Sequence, residues 1–121
     1  MTDLVGRGWA TVELERAERE VREALSADLR FEVAQRSALL GARCRRAEAP
    51  HGEWIVLLEP DTEGRLAAFL ARHGEGWAVR WEPGEGTAAA VAGPLGQERL
   101  ARDQPARGSF RLILTTATIE R

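Results

Sequence analysis

Twice within 121 residues the chain runs from a strand through a helical stretch into further strands. That approximate repetition constrains the fold more than any single motif, because it reads as two copies of one small unit packed together. The first copy opens at Gly8-Trp-Ala-Thr-Val-Glu-Leu14, whose alternation predicts a strand with Trp9, Thr11 and Glu13 on one side. Leu14, Ala17, Val21, Ala24 and Leu25 then recur at helical spacing, and Glu15–Arg19 and Glu18–Arg22 form i,i+4 pairs on the polar face. Two strands are expected at Leu29–Ala34 and Ala38–Arg46, with a turn near Gln35–Ser37. Trp54–Leu58 is an unbroken apolar strand that stops at Glu59-Pro60. Asp61 is placed to cap a helix through Leu66, Phe69 and Leu70, with Gly74 as its left-handed stop. The second copy is expected as a strand at Trp77–Glu82, a short helix at Thr87–Ala92, a weak strand at Gln97–Arg102 and a stronger one at Phe110–Ile119.

Length and composition bound the answer. A chain of 121 residues supports one modest core, so residues 1–121 are expected as a single domain. Within it, unit one covers about 7–60, a connecting helix about 61–74 and unit two about 75–121. No apolar run approaches the roughly 18–20 residues of a membrane span. Met1-Thr2-Asp3-Leu4 shows no basic end followed by an apolar stretch, so a cytoplasmic location is expected. Net charge is −2 with scattered Arg, which argues against a nucleic-acid partner. The lone Cys44 excludes an internal disulfide and a cysteine-rich zinc site.

One segment resembles a known superfamily. Trp54-Ile-Val-Leu-Leu-Glu-Pro60, followed by Arg65-Leu-Ala-Ala-Phe-Leu-Ala-Arg-His-Gly-Glu-Gly76, is similar to the matching stretch of methylmalonyl-CoA epimerases. These belong to the vicinal-oxygen-chelate superfamily, with glyoxalase I, bleomycin-resistance proteins and extradiol dioxygenases. The resemblance implies an α+β fold in which two packed βαβββ-type units form a cupped mixed sheet. The second unit is shortened, since only two strands are found after Gly93-Pro94. It also implies four metal ligands on the concave side of the cup, from His, Gln or Glu. The matching positions here are Trp9, Val56, Val79 and the acid-free stretch Leu112–Thr115, so no metal or other cofactor is expected.

Four Trp and no Tyr are the other oddity of the composition. Alternation from those ligand positions puts Trp9, Trp54, Trp77 and Trp81 on the concave side, with Thr11, Val56 and Val79 beside them. Such a surface is either a filled core or a ligand cup suited to hydrophobic or aromatic small molecules. Glu13 on the same side is the candidate general base, the alternative being a solvated or ion-paired carboxylate. The leading expectation is a metal-independent, glyoxalase-like protein that binds such a molecule, as bleomycin-resistance relatives bind their drug. A metal-free proton-transfer isomerase, lyase or cyclase is the second. A ligand-free structural or dimerisation module is the third, because the superfamily commonly forms homodimers and the short unit could complete its sheet with another chain. A ferredoxin-like βαββαβ sandwich fits the order of elements less well.

Overall fold

The computed structural model describes residues 4–85, 89–105 and 109–115. Eight strands and two helices follow in the order β1 (Gly6–Ala10), α1 (Leu14–Ala24), β2 (Glu32–Ser37), β3 (Ala42–Glu48), β4 (Trp54–Pro60), α2 (Arg65–His73), β5 (Gly76–Pro83), β6 (Val91–Gly93), β7 (Gly96–Leu100) and β8 (Phe110–Leu114). They form one sheet in the order β2-β3-β4-β1-β5-β8-β7-β6. The halves match strand for strand, with β1 parallel to β4 and β5 parallel to β8. The halves join through the antiparallel pair β1–β5. The sheet curls until its edge strands β2 and β6 touch. Arg46 Nη1 bonds across that seam to the Pro94 carbonyl at 2.9 Å. Both edges are thus drawn together within one chain, with no strand pairing between them among the described residues.

The curled sheet has an inner and an outer face, and β4 is apolar on both. Its inner residues Trp54, Val56 and Leu58 join the main core with Trp81, Leu66, Leu95, Leu112 and Leu114. Its outer residues Ile55 and Leu57 lie under Leu14, Ala17 and Val21 of α1. This double burial is why residues 54–58 read as a solid apolar run rather than an alternation. Glu18 of α1 pairs with Arg45 on β3 and with Arg22 one turn on, so the helix is also pinned by charge.

Several boundaries differ from the sequence expectation for identifiable reasons. β1 ends at Ala10, because Thr11 closes a side-chain turn: its Oγ1 accepts the Glu13 N–H at 3.0 Å. Leu29 belongs to the core under α1 instead of opening β2. The turn between β2 and β3 falls at residues 38–41, where Gly41 has φ +71° and returns its N–H to the Ser37 carbonyl at 2.9 Å. Asp61 does not cap α2; it pairs with Arg36, and Gly64 holds the N-cap position. Gly74 does end α2, at φ +77° with its N–H on the Leu70 carbonyl.

Unit two departs most. Val91 and Ala92 begin strand β6 instead of ending a helix; residues 87 and 88 lie outside the described residues, as do 116–119 of the last expected strand. Three strands therefore follow β5, one more than expected, while no helix is described between β5 and β6. Among the described residues, unit two has its four strands and no helix that matches α1. Its outer face carries Arg80 and Glu82 on β5, Arg99 on β7 and Arg111 on β8 around Ile113, whereas in unit one Ile55 and Leu57 lie under α1.

Candidate functional site

The inner face of the sheet includes Val56 and Val79, two of the positions where the resemblance implies metal ligands. On β1 the inward residues are Gly6, Gly8 and Ala10, not Trp9. A Cβ on Gly8 would lie 2.6 Å from Leu58 Cδ1 and 3.0 Å from Trp81 Cζ3; one on Gly6 would lie 2.9 Å from Leu95 Cδ1. The strand is stripped of side chains because Trp54, Leu58, Trp81 and Leu95 fill the space. Val56, Val79, Leu112 and Leu114 complete the surface. Glycine, valine, leucine and tryptophan offer no oxygen or imidazole donor, so these residues do not fit the divalent cation that the fold implies. Among the described residues no cluster of three His, Cys, Asp or Glu could hold a metal ion.

The four tryptophans divide between the faces. Trp54 and Trp81 are inward, packed with Val56 and Val79, and none of these four borders either cavity described below. Trp9 and Trp77 are outward, contrary to expectation. Trp9 packs against the α1 core, and its ring meets that of Trp77 edge-on at 5.1 Å. Trp77 is 38% exposed and carries the Arg7 guanidinium over its ring at 4.3 Å. For Trp77 the cause is a β-bulge: Gly8 pairs with Val79 but Trp9 pairs with Trp77, so Ala78 is an extra residue on β5 and reverses the alternation before it, whereas Trp9 is outward by simple alternation with Gly8 and Ala10.

The polar expectations also move. Glu13 is the N-cap residue of α1, exposed and 3.7 Å from Arg16 Nε, outside the sheet's interior. It cannot reach the inner face as a general base. Thr11 is buried, but its hydroxyl serves the turn to Glu13. Glu75 fastens that turn from across the molecule, accepting the Val12 N–H at 2.9 Å and both Arg16 Nη groups at 2.9 and 2.7 Å. The Arg16 bond, above all, holds its carboxyl below the ordinary range. Arg43, Arg45 and Arg46 are paired with Glu59, Glu18 and Glu32.

The inner face holds one acid that sequence reasoning passed over. Glu98 on β7 is fully buried. Its Oε1 accepts the Trp81 indole N–H at 2.9 Å, and its Oε2 accepts the Ser37 hydroxyl at 2.7 Å. Burial raises its carboxyl above the ordinary value, against the pull of these two donors. Each oxygen thus accepts one buried donor, from β5 and from the end of β2. Cys44, also inward, has its thiol pushed up to about 12 by burial and is no nucleophile.

Two cavities lie away from Trp54, Val56, Val79 and Trp81. A cavity of about 380 Å³ sits between the end of α1 and the β3–β4 turn, walled by Leu25, Leu29, Pro50 and Ile55 with Arg7 and His51 beside it. His51 is spoken for by Glu53, at 3.3 Å. A larger groove of about 730 Å³ opens on unit two. Ile113 and Arg99 bring it onto the outer face, while Leu39 and Leu100, which pack against the inner core, and Ala101 form an apolar part where it wraps the end of β7. Arg102, Asp103, Arg111 and Glu85 complete its wall. Gln104 braces the segment after β7: its amide donates to the Ala101 and Arg111 carbonyls at 2.9 and 2.6 Å and accepts the Arg111 N–H at 2.9 Å.

No protein-family model and no curated protein matches the sequence. Solved structures do match in shape. A hypothetical protein of Bacillus halodurans C-125 superposes with a TM-score of 0.74 at 18% identity, covering 99% of this chain and 98% of the other. Methylmalonyl-CoA epimerase from Mycobacterium tuberculosis gives 0.75 at 18%, over 95% and 88%. A Streptomyces coelicolor methylmalonyl-CoA epimerase variant in complex with 2-nitronate-propionyl-CoA gives 0.70 at 20%, over 100% and 99%. Eight strands in two mirrored halves, superposing on the epimerases over nearly the whole chain, give this protein the vicinal-oxygen-chelate fold on a divergent sequence.

Proposed function

We propose that this protein binds an apolar or aromatic small molecule without a metal, and holds it in the unit-two groove rather than inside the sheet. The carrying observation is the 730 Å³ groove, whose volume falls within the range of about 300–1,000 Å³ that small-molecule sites occupy. The inner face supports the same reading from the other side. Its ligand positions carry no donors, and its tryptophans Trp54 and Trp81 serve as core. The acyl-CoA thioester in the Streptomyces coelicolor epimerase complex is an organic molecule of mixed polarity, and such thioesters belong in the first panel of ligands.

Calorimetric titration of that panel, together with aryl and alkyl carboxylates, tests the reading. Saturable binding is expected with and without a chelator. Arg102→Cys supplies a label site at the groove, since the buried Cys44 thiol will not compete. A bulky maleimide there is expected to abolish binding. Binding that requires a divalent ion, or that survives the label, overturns the proposal.

A further inference from the structure

The side chains around the groove specify the class of ligand, an inference that rests on the reading just given. Arg99 is half-buried, and its only described partner is the Glu85 main-chain carbonyl, which accepts from Nη2 at 3.2 Å. It has no carboxylate partner among the described residues. Arg102, nearby, has no ion pair or hydrogen bond among them. Arg111 differs, because its Nε is engaged by the buried Glu82 at 2.8 Å. The two acids of the groove, Glu85 and Asp103, are both exposed, where water and salt screen them. The less solvated charge is therefore a guanidinium with free donors, set beside the apolar patch of Leu39, Leu100 and Ala101.

Such an arrangement suits a molecule with one apolar end and one anionic end. A guanidinium presents a planar fork that matches carboxylate, sulfonate or phosphate oxygens. The apolar patch gains from covering by a ring or an alkyl chain. We infer that the groove binds an amphipathic organic anion, with its acid group on Arg99 and Arg102 and its apolar part on Leu39, Leu100 and Ala101.

Two dyes that share one ring system separate the charge from the apolar contact. 8-Anilinonaphthalene-1-sulfonate carries a sulfonate; N-phenyl-1-naphthylamine is its neutral counterpart. Fluorescence titration of the whole chain is expected to show one sulfonate dye per chain, bound about tenfold more tightly than the neutral dye, the worth of a charge-assisted contact. Arg99→Ala and Arg102→Glu should each weaken the sulfonate dye several-fold and leave the neutral dye unchanged. Arg102→Glu is exposed and unpartnered, so it tests the charge even if Arg99→Ala loosens the Glu85 segment. Arg19→Ala, exposed on α1 and outside the groove's wall, should change neither dye. Equal binding of the two dyes, or sulfonate binding indifferent to both groove variants, overturns the anion assignment while leaving the groove as the site. Failure of both dyes to bind overturns the assignment and the groove together.

Discussion

Ser37 and Glu98 stand 61 residues apart in sequence and meet at 2.7 Å inside the sheet. Ser37 ends β2 in unit one and Glu98 lies on β7 in unit two, so their bond ties the two halves near the seam where the sheet's edges touch. Trp81 adds its indole N–H from β5. Removing the acid leaves two buried donors unpaired and a hole against Gly93, where a Cβ would lie 2.1 Å from Glu98 Oε1. Glu98→Ala should cost about 2–4 kcal/mol, measured by denaturant unfolding. Glu98→Gln should cost less and should change the pH dependence. A carboxyl whose folded value is raised stabilises fully below its unfolded value and loses that contribution as pH rises through the folded value. The melting-temperature advantage of the native chain over Glu98→Gln should therefore shrink from acid toward neutral pH. An advantage that grows with pH would show that Glu98 is held ionised.

The bare inner side of β1 is a packing requirement. Gly8→Ala places a methyl 2.6 Å from Leu58 Cδ1, 3.0 Å from Trp81 Cζ3 and 3.0 Å from Val79 Cβ, all within the core. Overpacking of about 1–3 kcal/mol is expected, more for Gly8→Val. Adding Leu58→Ala to Gly8→Ala should restore less than a full core but recover part of the Gly8→Ala loss, a coupling that a double-mutant cycle reads directly.

The two tryptophan environments predict opposite sensitivities. Trp81 Nε1 donates to Glu98, whereas Trp9 Nε1 is buried with no partner among the described residues. Trp81→Phe should cost about 2 kcal/mol or more, since it strips a buried carboxyl of a donor. Trp9→Phe removes an unsatisfied group and should cost clearly less. Thermal melts of the two variants, side by side, decide the comparison; a larger loss at Trp9 would contradict it.

Glu75 should matter in the opposite pH range from Glu98. Its carboxyl is lowered chiefly by the Arg16 hydrogen bond, so it stabilises above its unfolded value and loses that contribution as pH falls through the folded one. Glu75→Gln should cost about 1 kcal/mol at neutral pH, given a partly exposed pair with a main-chain bond added. That difference should vanish in acid. Unfolding curves at neutral and acid pH provide the check.

Much of the fold was legible because long-range packing left clear marks on local sequence. The solid run Trp54–Leu58 marks a strand buried on both faces, and Leu14, Ala17 and Val21 mark the helix that covers one of them. Gly74 ended α2 where expected, since left-handed backbone favours glycine. Which face a side chain takes was harder to read. One extra residue, Ala78, turned Trp77 outward, and no composition rule marks a bulge. Trp9 was assigned inward because the resemblance puts a metal-ligand position there, from which the alternation was counted. The signal that would have corrected it was Gly6, Gly8 and Ala10, small residues at every second position facing Trp54 and Trp81. Glu98 was missed because a charged residue in a short, polar-looking strand reads as solvated, and its partners Ser37 and Trp81 are distant in sequence. The groove could not be foreseen from unit two, where a helix was expected between β5 and β6.

The missing helix of unit two also sets where this protein is free to change. Inward positions are mutually committed, since each large side chain occupies the space another strand gave up. Outward positions of β7 and β8 lie under no helix among the described residues. Arg99, bonded only to the Glu85 carbonyl among the described residues, can thus be exchanged without unpairing a buried group, whereas Arg111 is held by the buried Glu82. A duplicated architecture has in this way divided its labour: one half keeps its cladding and secures the core, and the other offers an adjustable surface. New ligand preferences can arise there by single substitutions, at little risk to the fold that carries them.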